Sequence, residues 1–182
     1  MSGIIIHING WPGVGKYTIG KNVAAQLNAR FVPNHSICAP ANCVADFGTP
    51  TFFEMARQVR ALVFEQMIKA PSHERFVLTS VLDDGADDTA RFEAIQTRAK
   101  GRSQPLLAVT LVCDADENLR RLDTPLRAAR HSLTDSEILR SLFKDYRLLQ
   151  PHHEFELELD TTNKKPKENA QAIVRRARQL AS

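Results

Sequence analysis

Two kinds of apolar pattern alternate along the chain. The first is short and dense. "GIIIHIN" (residues 3–9) is a near-continuous isoleucine run, the mark of a strand buried on both faces. "RFVP" (30–33) predicts a brief second strand stopped by Pro33. "RFVLTSVL" (75–82) and "PLLAVTLVC" (105–113) predict the third and fourth, and "EFELELD" (154–160) alternates as a half-buried fifth. The second kind has helical spacing. Residues 14–27 place Ile19, Val23, Ala24 and Leu27 on one face, and residues 50–70, opened by Pro50, place Phe53, Ala56, Val59 or Arg60, and Val63 on another. Further helices are predicted over 87–101, closed by Gly101, over 114–122 with an acidic first turn, over 134–149 from a Thr134/Glu137 capping pair, and over 165–180. Residues 34–50 read as irregular and proline-rich, and 123–132 as a polar, arginine-rich connection. Strands alternating with helices predict a three-layer α/β domain, a five-stranded parallel sheet with right-handed crossovers and helices on both faces.

Composition narrows this picture without redirecting it. At 182 residues the chain suits a single domain, and 43% hydrophobic with 25% charged residues is ordinary for a globular protein. A net charge of +3, with lysines and arginines scattered among acids, gives no basic, aromatic-interleaved stripe for nucleic acid. A small phosphorylated ligand is the better match. The three cysteines, Cys38, Cys43 and Cys113, have no metal-ligand spacing and read as reduced thiols. The early apolar run is too short for a signal peptide or a membrane span, so the expected compartment is the cytoplasm.

The chemistry concentrates in "GWPGVGKYT", which sits between the first strand and first helix. Gly10, Gly15 and Lys16 fit the phosphate-loop pattern G-x-x-x-x-G-K-[ST], in which backbone N–H groups and a helix N-terminus surround phosphate oxygens and the lysine reaches the terminal phosphates. Where the pattern has Ser or Thr, this chain has Tyr17, with Thr18 one place later. A phenol on a rigid ring cannot take the place of a short hydroxyl beside magnesium, so no protein ligand to the metal is assigned; magnesium keeps most of its waters and leans on phosphates.

The loop resembles that of nucleoside monophosphate kinases. Most of the chain is similar to a wider group of small P-loop kinases that includes gluconate and shikimate kinases and chloramphenicol phosphotransferase. "FVLTSVLDD" resembles their third strand, "VTLVCDADENLRRL" the strand-helix leading to their lid, "RAARHSLTDSEILRSL" the lid, and "ELELDTTNKKPKENAQAIV" their last strand and adenine-side loop. The resemblance implies a P-loop fold spanning 1–182 with an acceptor lobe over about 34–70 and a lid over about 123–134. It also implies ATP and Mg2+ as cofactors and a small-molecule acceptor, in a monomer or homodimer that uses neither nucleic acid nor membrane.

Site residues follow from loop and resemblance together. Gly10, Trp11, Pro12, Gly13, Val14, Gly15, Lys16, Tyr17 and Thr18 are expected around the phosphates, and Thr162 and Asn163 beside the base. Arg127 and Arg130 of the lid would neutralise the transferring group. Related kinases carry an acid after the second strand; here the stretch reads Pro33, Asn34, His35, and His35 is the candidate base, a neutral imidazole being able to accept the acceptor's proton near pH 7. Ser80 stands where an acid is expected after the third strand, with Asp83 beyond it. Arg57 and Arg60, three apart on a helix, could clamp an anionic acceptor, and Asn34 adjoins them on the acceptor side. The expected function is transfer of the γ-phosphoryl of ATP to a hydroxyl of a metabolite or antibiotic. The alternatives are a nucleoside monophosphate kinase and a nucleotide-binding regulatory module with little turnover.

Overall fold

The computed structural model describes residues 2–122, 140 and 143–181. Five strands form one parallel sheet: β1 (Ile5–Asn9), β2 (Arg30–Val32), β3 (Phe76–Thr79), β4 (Leu106–Val112) and β5 (Glu156–Asp160), in spatial order β2-β3-β1-β4-β5. The isoleucine run lies at the centre of the sheet, between β3 and β4, where helices cover both faces. Ile4, Ile6 and Ile8 face α1 (Lys16–Leu27) and the closing helix, here α6 (Pro166–Leu180), in one core with Val23, Ile173 and Val174. Ile5 faces the other way, into a core with Phe64, Met67, Phe92 and Ile95. Those side chains come from α3 (Pro50–Lys69) and α4 (Ala86–Gly101). α5 (Ala115–Leu122) follows β4. β5, an edge strand, alternates exposed and half-covered residues as its sequence does. Among the described residues no helix is long and apolar enough to cross a membrane, and the three cysteines are free.

Three expectations about local structure are corrected. Residues Asn34–Asn42 are not irregular but form a nine-residue helix, α2. Pro33 sits at its N-cap, where no N–H is needed, and Pro40 is carried inside it, since α2 packs along α3 and buries Ala41 against Phe52 and Ala56. At the start of α3 the buried aromatic is Phe52 rather than Phe53, which is 55% exposed in a cluster with Phe47 and Phe52; burying Phe52 beside Ala56 turns the apolar stripe by one position. Gly101 does not close α4 with a left-handed turn. The helix does end at Gly101, but Arg102 is its right-handed C-cap and Ser103 takes the positive φ of 52°.

Arg102 also fixes the C-terminal end of α3. Its buried guanidinium donates to the carbonyls of Met67, Ile68, Ala70 and Pro71, the C-terminal groups that α3 cannot satisfy itself, and to Gln104 Oε1. At the other end of the sheet, Asn9 closes β1 by bonding the backbone of Leu82 in both directions, donating to its carbonyl at 3.0 Å and accepting from its N–H at 2.8 Å. This amide holds the segment after β3 beside the start of the glycine-rich loop.

His7 is the odd residue of β1. It is buried against Phe92, its Nε2 has no partner among the described residues, and burial, helped by the nearby Arg91, pushes its pKa down to about 3. The unfolded chain therefore binds a proton here between about pH 6.5 and 3 that the folded chain refuses. Stability contributed by the neutral ring is present above that window and falls as pH drops through it, by up to about 1.4 kcal/mol per pH unit. In urea melts from pH 7 to 4, His7→Leu should show a flatter loss of stability than the parent; equal slopes would contradict this assignment.

Candidate functional site

The glycine-rich turn lies where β1 ends and α1 begins. Gly13 and Gly15 both take φ of 97°, a left-handed conformation that opens the loop's N–H groups toward one side. Gly10 is excluded from replacement by space as well, since a Cβ there would lie 2.7 Å from the Leu111 carbonyl oxygen. Gly15 is the N-cap of α1; no side chain caps this terminus and no acid occupies its first turn. Its partial positive charge is thus available to an anion. Lys16 Nζ donates to the carbonyls of Gly10 (2.5 Å) and Trp11 (2.8 Å), so the ammonium is folded over the loop that a phosphate would enter.

Tyr17 turns its ring toward β2 and α2. It packs edge-on against Phe31 of β2, centroids 5.4 Å apart, and tilted against His35 at 4.9 Å. The ring forms a wall between the loop and α2. Thr18 is exposed and faces the opposite side, lining a cleft of about 290 Å3 with Gly13 and Gly15. Glu117, Arg120 and Arg121 of α5 line its second wall, and Thr161, Lys164, Pro166 and Asn169 its third.

That cleft is built by hydrogen bonds rather than by apolar packing. Arg121 donates to the carbonyls of Thr161 (2.8 Å) and Thr162 (2.9 Å) and to Glu117, tying α5 to the segment after β5. Glu117 accepts from both Arg120 and Arg121, and these bonds hold its carboxyl down at about 2. Of the residues expected beside the base, Thr162 is engaged within its own loop: its hydroxyl bonds Asp160 at 2.6 Å and accepts from the Asp114 N–H at 2.9 Å. Asn163 is not among the residues lining the cleft. Thr161, Pro166 and Asn169 are, and the sequence reading passed over them. Asn118 lies beneath the loop, both its amide atoms buried without a partner among the described residues, and a Cβ on Gly13 would lie 2.0 Å from its oxygen.

On the side of β2 and β3, α2 starts at the loop's edge. The Asn34 N–H donates to the buried Thr79 hydroxyl at 3.1 Å, pinning α2 to the end of β3. His35 is thereby set against Tyr17. Arg57 and Arg60 part company. Arg57 is exposed and paired with Glu54 through two bonds. Arg60 is half-buried and makes no hydrogen bond or ion pair among the described residues. Burial and the nearby Arg91 lower its pKa, with Cys38 and Asp88 close by. Arg91 pairs with Asp88 through one nitrogen while its Nε is buried and unpartnered. Two guanidiniums thus meet between α2, α3 and α4 against one carboxylate. The Cys38 thiol beside them is pushed up by burial, opposed by both arginines.

Ser80 follows β3 directly, its N–H bonded to the Ile8 carbonyl. The Asp83 carboxylate accepts from Gly85 N–H at 2.8 Å, and its own N–H donates to Asp88, an arrangement that starts α4. Arg127 and Arg130 lie outside the described residues. Among the described residues no group of three or more acids, histidines and cysteines is placed to hold a metal ion.

No protein-family model and no curated protein matches the sequence. Solved structures do. A presumed kinase of Chloroflexus aurantiacus is 16% identical with a TM-score of 0.73, the match covering 99% of this chain and 98% of that one. Shikimate kinase of Acinetobacter baumannii, solved with shikimate, is 19% identical with a TM-score of 0.64, covering 95% and 92%. The APS kinase of Mycobacterium tuberculosis, solved with AMPPNP and APS, is 16% identical with a TM-score of 0.64, covering 97% and 98%. The five-stranded parallel α/β fold is that of the P-loop kinases.

If the loop is the phosphate site, Lys16→Ala should weaken ATP binding in calorimetry by about tenfold to a hundredfold, the worth of a charge-assisted contact. Unchanged affinity would rule the loop out.

Proposed function

We propose that the protein is an ATP-dependent kinase that moves the γ-phosphoryl group to a hydroxyl of a small, negatively charged acceptor. The observation that carries this reading is the loop's position between two sites of different chemistry. A cleft walled by α5 and the start of α6 lies on one side, and the His35, Arg60 and Arg91 region lies on the other. In this reading the loop's N–H groups, the α1 terminus and Lys16 hold the phosphates, releasing Lys16 from the Gly10 and Trp11 carbonyls. Pro166 and Arg120 flank the base. Arg127 and Arg130 supply charge to the transferring group.

Magnesium would neutralise phosphate charge when it arrives with the nucleotide. The described side chains offer it no ligand set, and Tyr17 is packed on Phe31 and His35, so no protein ligand is assigned. The chain's own part in the reaction is alignment and proton transfer. The acceptor hydroxyl loses its proton to His35 while a P–O bond forms to its oxygen, the bond from the γ-phosphorus to its bridging oxygen breaks, and ADP departs.

The half-buried, unpartnered Arg60 beside Arg91 favours an acceptor bearing a carboxylate or phosphate. A nucleoside monophosphate belongs to that class and remains the second reading. Acceptor-dependent ADP release, run with anionic alcohols, nucleoside monophosphates and neutral alcohols, separates the possibilities. Turnover confined to one anionic group is the expected result. ATP binding without ADP release for any acceptor would instead favour a regulatory nucleotide-binding module.

Arg60→Ala should raise the acceptor KM at least tenfold while kcat changes little, because the contact is made equally in ground and transition states. An unchanged KM would remove Arg60 from the acceptor site. His35→Asn should leave ATP affinity intact and lower acceptor-dependent turnover by about 10²–10⁴-fold, and the parent's rate should fall as pH drops through an imidazole titration. Parent-like rates across the pH range would make His35 a bystander.

A further inference from the structure

We infer that Asn169 reads the base of the bound nucleotide and selects a 6-aminopurine over a 6-oxopurine. The inference rests on the nucleotide reading given above and goes one step further, to a specificity-determining side chain. Asn169 stands in the first turns of α6, only 1% exposed, yet it lines the cleft beside Thr161 and Pro166. Its backbone N–H is satisfied by the Lys165 carbonyl. The side-chain Nδ2 is buried and has no partner among the described residues. A buried amide nitrogen without an acceptor is costly, and a ligand that completes it recovers that cost.

Several other polar groups of the cleft are already engaged, while the Thr18 hydroxyl and the Lys164 ammonium lie on its lining with no amide to offer a base edge. Glu117 accepts from Arg120 and Arg121, and Arg121 is tied further to the Thr161 and Thr162 carbonyls. The Thr161 hydroxyl donates to the Val112 carbonyl. Asn169 is the neutral amide left to meet a ligand, and an amide carries a donor and an acceptor side by side. The N6/N7 edge of a 6-aminopurine offers the complementary donor and acceptor, which asparagine engages through two bonds. A 6-oxopurine presents two acceptors on that edge, so one of them would face the amide oxygen without a proton between them. Asn118, the other buried unpartnered amide nearby, is pressed against Gly13 and does not line the cleft.

The test is calorimetry on the full chain with non-hydrolysable analogues of ATP and GTP, and with inorganic tripolyphosphate as a probe that has no base. The parent should prefer the adenine analogue by about tenfold to a hundredfold, the discrimination that one bidentate asparagine supplies. Asn169→Leu should bring the two analogues to similar affinity while tripolyphosphate binds as before. Asn169→Ala, which removes both the donor and the acceptor with less bulk, gives the same comparison should the leucine variant fold poorly. A preference that survives in either folded variant, or a parent that binds tripolyphosphate but does not distinguish the two analogues, overturns the inference and leaves the loop's role standing. A parent that binds none of the three overturns the nucleotide reading and this inference with it.

Discussion

Peptide N–H groups can hold a phosphate only where several converge without side chains in the way, and the turn between β1 and α1 meets that condition. Gly13 and Gly15 adopt left-handed φ, Gly10 passes close under Leu111, and α1 begins without a cap. The turn is held from outside. The central strand is buried on both faces, Asn9 clamps it to Leu82, and Asn118 supports Gly13 from below. The loop keeps its shape because Val14 and Trp11 anchor it in the core and its neighbours crowd its glycines.

The two sides of the loop are assembled by different forces. The cleft toward α6 is a network of charged and backbone hydrogen bonds centred on Arg121, with the two arginines holding Glu117 ionised down to about pH 2. Across ordinary pH that wall keeps its charge pattern. The side between α2, α3 and α4 is the reverse. Cationic groups are brought together with too few anions, and Arg60 is left without a partner among the described residues. Tyr17 stands between the two, spending a position that other phosphate loops give to a small hydroxyl on packing against Phe31 and His35.

Most of the architecture was legible because strands buried on both faces and amphipathic helices leave unlike periodicities in a sequence. Ile4 to Ile8 and the Gly10–Lys16 spacing together placed the glycine-rich turn between β1 and α1. α2 was not legible, since Pro33 and Pro40 read as punctuation and the packing that tolerates Pro40 comes from a second helix, α3. The choice between Phe52 and Phe53 was likewise made by tertiary contact. Arg57 and Arg60 looked equivalent at helical spacing, and only the position of Glu54 and of α4 separates them. Asn9, Asn118 and Asn169 escaped because a single buried amide leaves no periodic trace; an isolated polar residue closing the isoleucine run was the one available hint, at Asn9.

The central claim is that this loop presents a γ-phosphoryl group to an acceptor hydroxyl held on the His35 side. The most direct measurement is transfer of label. The protein is incubated with ATP carrying 18O on the γ-phosphoryl group and a mixture of small anionic alcohols, and the products are read by mass spectrometry. The account predicts labelled phosphate esterified to one acceptor, with ADP formed in equal amount. Label recovered only in ATP, or only in inorganic phosphate whatever acceptor is supplied, would contradict it.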